Sequence, residues 1–521
     1  MASIPVLTPA EAADWDRRAE AGGVALATLM ECAGRAAVAV LADAARARWP
    51  AALGTGVLIA AGPGNNGGDG WVMARALHRL GVPVWVAPLA GEPSPLNAAM
   101  RALARAEGVR EVAPDGPWPS LGLVVDAILG TGARGAPRPP AAALLDRLAD
   151  LRLPLLAVDG PTGLDLATGV VHGAPRADVT VTFGGLRRGH LLARDEVGEV
   201  VVVDIGLPDA APGLPTLVTD AQAAAGLPAF RAEAHKGDRG RVVLVGGAAG
   251  MSGAIRMAGR GAFGAGAGLA HAVAPAETVA ALVQAEPDLQ TLAHPLAGPV
   301  DEALAGLLAR ADAVAIGPGL GRAPERRAFV EAVVGRVARA VLDADALTVF
   351  QGAVDRLAAL ADGRALVLTP HPGEFRTLFP DLAAEREVDP WGAACTAAER
   401  VGATVLLKGV PTVVARPGRA LLTVAAGNPG LATGGSGDLL SGITVTFLAQ
   451  GLEPERAAAL GAQVLGRAAD LAARAETTRA MRPADVVAAL PALWREWDIL
   501  RERRPPVEPP VLARLEAPLH L

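Results

Sequence analysis

The stretch Gly56-Val57-Leu58-Ile59-Ala60-Ala61-Gly62-Pro63-Gly64-Asn65-Asn66-Gly67-Gly68-Asp69-Gly70 decides the fold of the first half of the chain. An apolar run of strand length breaks into a glycine-rich loop. The following residues, with Val72, Ala76 and Leu80 on one face, read as a helix. Strand, loop and helix in that order open a βαβ unit, and the same alternation continues downstream. Val82 to Pro88, Leu121 to Ala127, Leu153 to Asp159, Asp178 to Phe183 and Glu199 to Ile205 read as further buried strands, most ending in Gly- or Asp-containing loops. In open α/β sheets ligands bind beyond the carboxyl ends of the strands, so these loops are the expected site.

The alternation stops between Gly206 and Leu227, where Pro and Ala dominate, and this break is the expected domain boundary. A second α/β series follows, with strands at Arg241 to Gly246, Leu269 to Ala274, Ala313 to Gly317, Ala365 to Thr369 and Thr404 to Leu407. A hairpin is expected at Thr412 to Val424, turning at Arg416-Pro417-Gly418-Arg419. The reading is therefore two α/β domains, residues 1–215 and 225–495, with a poorly ordered Pro/Arg-rich tail at 496–521.

At 521 residues the chain exceeds one ordinary hydrophobic core, and two large domains accommodate it. It is 51% apolar, with 62 Gly, 42 Pro and no Tyr, a globular profile and not a disordered one. The formal charge is only −6 with both signs interspersed, so no basic stripe offers itself to a nucleic-acid backbone. Cys32 and Cys395 lack CxxC or histidine company and read as reduced thiols, not a zinc site or disulfide framework. Glu11, Asp14 and Asp16 stand where a signal peptide needs an apolar run, and apolar stretches elsewhere are interrupted before they could span a bilayer. A cytoplasmic protein without a membrane partner, and a homo-oligomer, is the expectation. Arginine supplies almost all the positive charge; the lysines are Lys236 and Lys408, each followed by Gly. A chain that has otherwise replaced lysine with arginine needs something particular from those ammonium groups.

In the first half, the glycines of Gly62 to Gly70 let backbone N–H groups approach an anion, and the helix N-terminus that follows favours negative charge. Gly62, Gly64 and Gly67 also fit GxGxxG, which suggests a nicotinamide-dependent oxidoreductase. Against that, no acidic residue closes the second strand, which ends at Val86-Ala87-Pro88, so the ribose carboxylate is missing. Asp126-Ala127-Ile128-Leu129-Gly130-Thr131-Gly132, Asp159-Gly160-Pro161-Thr162-Gly163-Leu164-Asp165 and Thr182-Phe183-Gly184-Gly185-Leu186-Arg187 bring further polar groups to strand ends. Either aspartate alone could simply cap the next helix. Together they place Asn66, Asp126 and Thr162 as hard oxygen donors suited to an oxygen-preferring cation.

On the motifs GPGNNGGDG, DAILGTGxxG, VDGPTGLD and TVTF, residues from about 8 to 206 resemble the YjeF N-terminal family, the NAD(P)HX epimerases. The resemblance implies a Rossmann-like three-layer domain that interconverts the R and S forms of hydrated NADH and NADPH. It implies substrate binding by Asn65, Asn66, Gly67, Gly68 and Asp69 and by Gly130, Thr131, Gly132, Ala133, Arg134 and Gly135. Potassium would be held by Asn66, Asp126 and Thr162, and Asp159 would be catalytic and touch substrate. Relatives commonly carry Ser where Thr162 stands, which keeps the hydroxyl, and lysine where Arg187 falls. An arginine supplies charge and hydrogen bonds but does not exchange a proton, so Arg187 enters the catalytic set as a fixed cation.

In the second half, Gly427-Asn428-Pro429-Gly430-Leu431-Ala432-Thr433-Gly434-Gly435-Ser436-Gly437-Asp438 precedes a helix through Leu439, Leu440, Ile443 and Phe447. Gly435 to Gly437 at a helix start can form an anion hole for a transferring phosphoryl group, and Asp438 is placed to take a proton from an attacking hydroxyl. GxxxxGK[ST] is absent, so no P-loop is expected. Val245-Gly246-Gly247, Ile316 to Gly321 and Leu342 to Leu347 end strands in polar or glycine turns. Thr369-Pro370-His371-Pro372-Gly373-Glu374 supplies a histidine and a carboxylate, and Lys408-Gly409-Val410-Pro411-Thr412 an ammonium beside a glycine turn.

On the HPGE, KG and GNPGxATGGSGD motifs, residues from about 233 to 490 resemble the ADP- or ATP-dependent NAD(P)H-hydrate dehydratases, the YjeF C-terminal family of ribokinase-like fold. The resemblance implies that Ala254, Gly319, His371 and Asp438 contact the hydrate. Lys408, Gly409, Val410, Pro411, Thr412 and Gly437 would contact ADP or ATP, with magnesium neutralising phosphate charge. The order of the two halves is similar to bifunctional NAD(P)H-hydrate repair enzymes. Two alternatives stay open: a ribokinase-like small-molecule kinase with an amino-terminal ligand-binding module, and a front domain whose epimerase activity has lapsed with Arg187.

Overall fold

A computed structural model describes residues 3–502 and 511–519. The chain divides into two compact units, Met1–Leu214 with Pro505–Pro518 and Pro215–Arg504 with Leu519–Leu521. No helix among the described residues is long and apolar enough to cross a membrane.

The first unit is built on an eight-stranded sheet. From edge to edge its strands are Val511–Leu515, Glu199–Val203, Val179–Phe183, Leu155–Val158, Leu123–Ala127, Val57–Ala61, Val84–Pro88 and Arg110–Glu111. All neighbours are parallel except Val511–Leu515, which lies antiparallel on Glu199–Val203. Parallel strands with helices on both faces are buried on both sides, which is why Val57–Ala61 and Leu123–Ala127 read as unbroken apolar runs. Helices Leu26–Arg48 and Asn65–Arg79 cover one face and Pro139–Asp150 the other. Strand order reverses between Val57–Ala61 and Leu123–Ala127, whose register sets Ala61 opposite Ala127. The loops from Gly62 and Ile128 therefore leave the sheet side by side at a switch point, where ligands bind in such folds. They are so close that a Cβ on Gly62 would strike the carbonyl oxygen of Ile128.

The second unit carries a ten-stranded sheet. In order its strands are Thr216–Leu217, Leu422–Val424, Thr412–Ala415, Thr404–Leu407, Ala365–Leu368, Arg339–Leu342, Ala313–Ile316, Arg241–Val245, Leu269–Ala274 and Gln290–Ala293. The expected hairpin is present, Thr412–Ala415 pairing antiparallel with Leu422–Val424, and the sequence-based strands appear with ends shifted by a residue or so. Here the order reverses between Arg241–Val245 and Ala313–Ile316. Gly246 repeats the role of Gly62, since a Cβ there would strike the carbonyl oxygen of Pro318. Helices Ser252–Gly264 and Ser436–Ala449 cross in tight contact because Gly261 faces the carbonyl of Leu439 and Gly442 that of Ala258. That crossing fixes the start of the helix carrying Asp438.

Residues 496–521, expected to form a tail, differ from the expectation. The helix Pro483–Glu502 buries Trp497, and Val511–Leu515 completes the edge of the first sheet. The edge strand Glu199–Val203 offers unpaired backbone groups, and pairing outweighs the disorder that Arg and Pro content suggests. Residues 503–510 of that tail lie outside the described residues.

Candidate active sites

At the first switch point, helix Asn65–Arg79 starts directly after Gly64 with no side-chain cap, so its leading N–H groups face outward to a ligand. Buried Asn97 holds the loop from behind, its Nδ2 donating to the carbonyls of Gly62 at 2.9 Å and Gly64 at 2.7 Å. Asn65 accepts from the Ser94 hydroxyl at 2.7 Å. The side on which Gly67 and Gly68 would carry a Cβ is filled by the Gly62 carbonyl and by Met30, so only their backbone can meet a ligand. Asp69 lies within electrostatic reach of Asp159 and Asp16, and desolvation followed by those two charges raises its carboxyl well above the usual range.

Asp159 is the centre of this site. It is buried, and its Oδ2 accepts from both the main-chain N–H of Thr131, at 2.7 Å, and the Thr131 hydroxyl. Its Oδ1 faces the Arg187 Nη2 at 3.4 Å and the Thr182 hydroxyl at 3.4 Å. Burial alone would raise the carboxyl, but the Arg187 charge and the Thr131 donors outweigh it and hold Asp159 below its ordinary value. Arg187 spreads its guanidinium over three partners: Nε donates to Thr131 Oγ1 at 2.9 Å, Nη1 to the Gly185 carbonyl at 3.0 Å, and Nη2 meets Asp159. The pairing of Leu186–Arg187 with Val6–Leu7, too short to read from sequence, sets where Arg187 emerges.

His190, which sequence reasoning passed over, locks this corner. Its Nδ1 accepts the Arg187 main-chain N–H at 3.0 Å, so the proton resides on Nε2, which donates to the Asp159 carbonyl at 2.6 Å. Burial, the largest influence, brings its pKa down to about 4, and the ring stays neutral.

Asp126 and Thr162 sit together beneath the same loop. Thr162 donates its hydroxyl to Asp126 Oδ1 at 2.8 Å and its N–H to Oδ2 at 2.7 Å, and Thr162 Oγ1 accepts from the Leu129 N–H at 2.9 Å. Asn66 borders Gly130 on the other side of this backbone, and its Nδ2 is buried without a partner. Thr131 turns in to Asp159, whereas Gly132, Arg134 and Gly135 are exposed at the loop's rim, with Ala133 half-buried between them.

In the second unit, Gly319 and Ala254 come together across Met251: a Cβ on Gly319 would lie 2.8 Å from Met251 Cβ and 3.2 Å from Ala254 Cβ. His371 caps helix Pro372–Leu378, its Nδ1 accepting from Gly373 N at 2.9 Å, which leaves the proton on Nε2, 3.3 Å from Glu374 Oε1. The HPGE motif is thus a capping box built on an imidazole, with Nε2 directed at the Glu374 carboxylate. Gly435 adopts φ 103° to start helix Ser436–Ala449, and the Lys408 ammonium lies 3.4 Å from where Gly437 would carry a Cβ. Val410 is 72% exposed on the loop between Lys408 and Thr412. Asp438 occupies the first turn of the helix. Burial, then the charge of Asp343, lifts its pKa to about 6, against the lowering effect of Lys408.

Asp343, noted in sequence only as a strand-end residue, receives the Lys408 ammonium at 2.7 Å, the Thr369 hydroxyl at 2.8 Å and the Ser441 hydroxyl at 2.7 Å. A DxD turn after an apolar strand was the available signal; its partners are far away in sequence.

Fold and sites together define a two-domain enzyme with one carboxylate-centred site at the carboxyl ends of the strands of each sheet. One family model, described as YjeF-related protein N-terminus, matches residues 26–189, and another, described as NAD(P)H-hydrate dehydratase, matches residues 242–492. The bifunctional NAD(P)H-hydrate repair enzyme Nnr of Escherichia coli is 39% identical over 478 residues, covering 90% of this chain and 89% of its own length. That of Salinibacter ruber is 39% identical over 540 residues, covering 94% and 96%. The chain belongs to this family of bifunctional NAD(P)H-hydrate repair enzymes. A solved ADP/ATP-dependent NAD(P)H-hydrate dehydratase from Bacillus subtilis, co-crystallized with ATP/Mg2+, is 26% identical, covers 55% of this chain and 100% of its own, and superposes with TM-score 0.48.

Proposed function

We propose that this chain restores hydrated NADH and NADPH, its first domain interconverting the R and S hydrates and its second dehydrating the S form at the expense of ADP or ATP. The observation that carries this reading is the pairing, in one chain, of an ionised Asp159 beside Arg187 with an Asp438 at the head of a glycine-led helix. In the first site Asp159 carries the proton transfer and Arg187 is a fixed cation that keeps it ionised and the substrate oriented. Asn65 to Asp69 and Gly130 to Gly135 form the walls around the hydrated ring. Asn66, Asp126 and Thr162 would hold potassium: a buried unpartnered amide, a fully buried carboxyl raised by that burial and a hydroxyl fit a hard monovalent cation, once the Asn66 amide is turned to present its oxygen. The cation would supply charge compensation.

In the second site Asp438 takes the proton of the ring hydroxyl as its oxygen attacks the terminal phosphoryl group of ADP or ATP, displacing AMP or ADP. Elimination of phosphate, with loss of a proton from the neighbouring ring carbon, then re-forms the ring double bond. The N–H groups from Gly435 to Gly437 and the Lys408 ammonium receive phosphate charge, and Gly409 to Thr412 line the nucleotide. Ala254, Gly319 and His371 hold the hydrate, His371 through its exposed imidazole. Magnesium brought in on the nucleotide would be held by phosphate oxygens and would neutralise phosphate charge.

Purified full-length protein incubated with mixed R and S hydrate and each nucleotide tests the proposal. NADH recovery with release of free phosphate, exhausting both epimers, is expected. A stable phosphoester would make the second domain a kinase, and persistence of the R form would leave the first domain without epimerase activity.

A further inference from the structure

We propose that Asp343 is a positioning residue of the dehydratase reaction, one buried carboxylate that holds Lys408, the segment leading to His371 and the helix bearing Asp438 in a single arrangement. This rests on the dehydratase reading above. Asp343 is 2% exposed, and its three donors come from three separate elements. Lys408 follows strand Thr404–Leu407, Thr369 follows strand Ala365–Leu368 and precedes Pro370-His371, and Ser441 lies one helical turn beyond Asp438. Each of those elements carries a residue that the proposed chemistry requires. A buried carboxylate is strongly unfavourable unless paired and fully hydrogen-bonded, so removing its charge leaves Lys408 without the group that anchors it.

The turn itself is shaped for this. Ala344 adopts φ 51° and ψ −121°, a conformation that side chains other than Gly rarely take. It separates two aspartates that go opposite ways. Asp345 accepts from Gly321 N at 2.9 Å and Arg322 Nε at 2.8 Å, on the hydrate side, while Asp343 turns to the ammonium beside Gly437. Lys408 is thereby kept at the anion corner and off Asp438. Were Asp343 neutral, the ammonium would be free to pair with Asp438 and mask the base. The charged groups acting on Asp438 are Asp343, Asp345 and Lys408, with Glu374 next to Lys408 and Asp343, and His371 beside Glu374.

The experiment uses full-length wild type, Asp343→Asn and Ser441→Ala, measuring kcat and nucleotide KM with S hydrate from pH 5 to 8, alongside thermal unfolding. Wild type comes first: if it returns no NADH, the dehydratase reading fails and this inference falls with it, a result distinct from any behaviour of the variants. With wild type active, Asp343→Asn is expected to lose about 100-fold in kcat, as small misplacements of reacting groups do, and to raise nucleotide KM several-fold. Its acid limb should move to lower pH, because a negative neighbour of Asp438 is gone and a positive one is released. Ser441→Ala, which leaves the charge in place, should lose roughly 3- to 10-fold in kcat with the limb unmoved. An Asp343→Asn enzyme whose limb stays at the wild-type pH, whatever its stability, overturns the proposal. If Asp343→Asn does not fold, Ser441→Ala decides: unchanged kcat and KM overturn it.

Discussion

Asp159 and Asp438, the carboxylates assigned to proton transfer in the two domains, are the same residue type in opposite electrostatic company. Asp159 lies against Arg187 and takes two hydrogen bonds from Thr131, which together overcome burial and keep it ionised. Asp438 is also desolvated, but the nearby ammonium of Lys408 is engaged by Asp343, and the net effect is a pKa of about 6. Burial is common to both sites; what differs is whether the nearest cation is spent on the catalytic carboxylate or on another one. A fixed charge suits epimerisation, whereas a base that titrates near neutrality suits a step in which it must accept a hydroxyl proton.

The sharpest way to break this comparison is to remove one base at a time. Asp438→Asn should reduce repair of the S hydrate by about two to four orders of magnitude, the usual cost of losing a general base, while R/S interconversion and nucleotide affinity persist. The anion site is made by backbone N–H groups that do not depend on the carboxylate. A parallel loss of nucleotide binding would recast Asp438 as a phosphate or magnesium group. Asp159→Asn should do the converse, abolishing interconversion and sparing the dehydratase.

Arg187 tests the same contrast from the cation's side. Arg187→Met should cost roughly 100-fold in epimerisation, since Asp159 would then be buried with no compensating charge. Arg187→Lys keeps the charge, and activity within about tenfold of wild type is expected. One ammonium cannot span Thr131, Gly185 and Asp159 as the guanidinium does. Loss of epimerisation in a folded lysine variant would show that the fork geometry, and not charge alone, is required.

A smaller effect separates the domains by pH. Asp438 is raised to about 6, so its basic form, dominant at pH 7.5, is lost as pH falls through that value. Asp159 is lowered and therefore ionised throughout this range, and His190, at about 4, remains neutral. Between pH 7.5 and 5.5 dehydration should fall by about fourfold while enzymatic interconversion stays nearly flat. Two parallel acid limbs would show that the environments are not as different as their neighbours indicate.

Much of the fold was legible because buried parallel strands announce themselves as apolar runs bounded by Gly or Asp, as Val57–Ala61 and Ala313–Ile316 do. Arg110–Glu111, Gln290–Ala293 and Val511–Leu515 were not, since these edge segments are polar or half-exposed and owe their conformation to the neighbour they pair with. The sites divide the same way. Asp159, Lys408 and Asp438 stand in glycine-rich motifs whose composition has few purely structural explanations. His190 and Asp343 sit in ordinary-looking contexts, and what they do depends on partners such as the Asp159 carbonyl and the Ser441 hydroxyl, brought close only by the sheet.

The smallest expected effect concerns that unread edge. Glu199-Val200-Val201-Val202-Val203 is a strongly β-forming run, and without Val511–Leu515 it would expose a row of unpaired N–H and C=O groups. Arg514 reinforces the pairing, with Nη1 3.2 Å from Glu199 Oε1 and Nη2 3.4 Å from Asp43 Oδ2, although such partly exposed ion pairs contribute little individually. Deleting residues 505–521 should therefore lower the melting temperature of the first domain by roughly 2–6 °C, the shift that about 1–2 kcal/mol produces in a domain of this size. Concentration-dependent aggregation should rise with it, while dehydratase turnover at 25 °C stays at the wild-type level. Arg514→Ala, which keeps the strand but removes its ion pairs, should shift the melting temperature by no more than about 2 °C. If the deletion changes neither melting nor aggregation, the pairing of Val511–Leu515 adds nothing to the stability of the first domain, and its sheet is complete at Glu199–Val203.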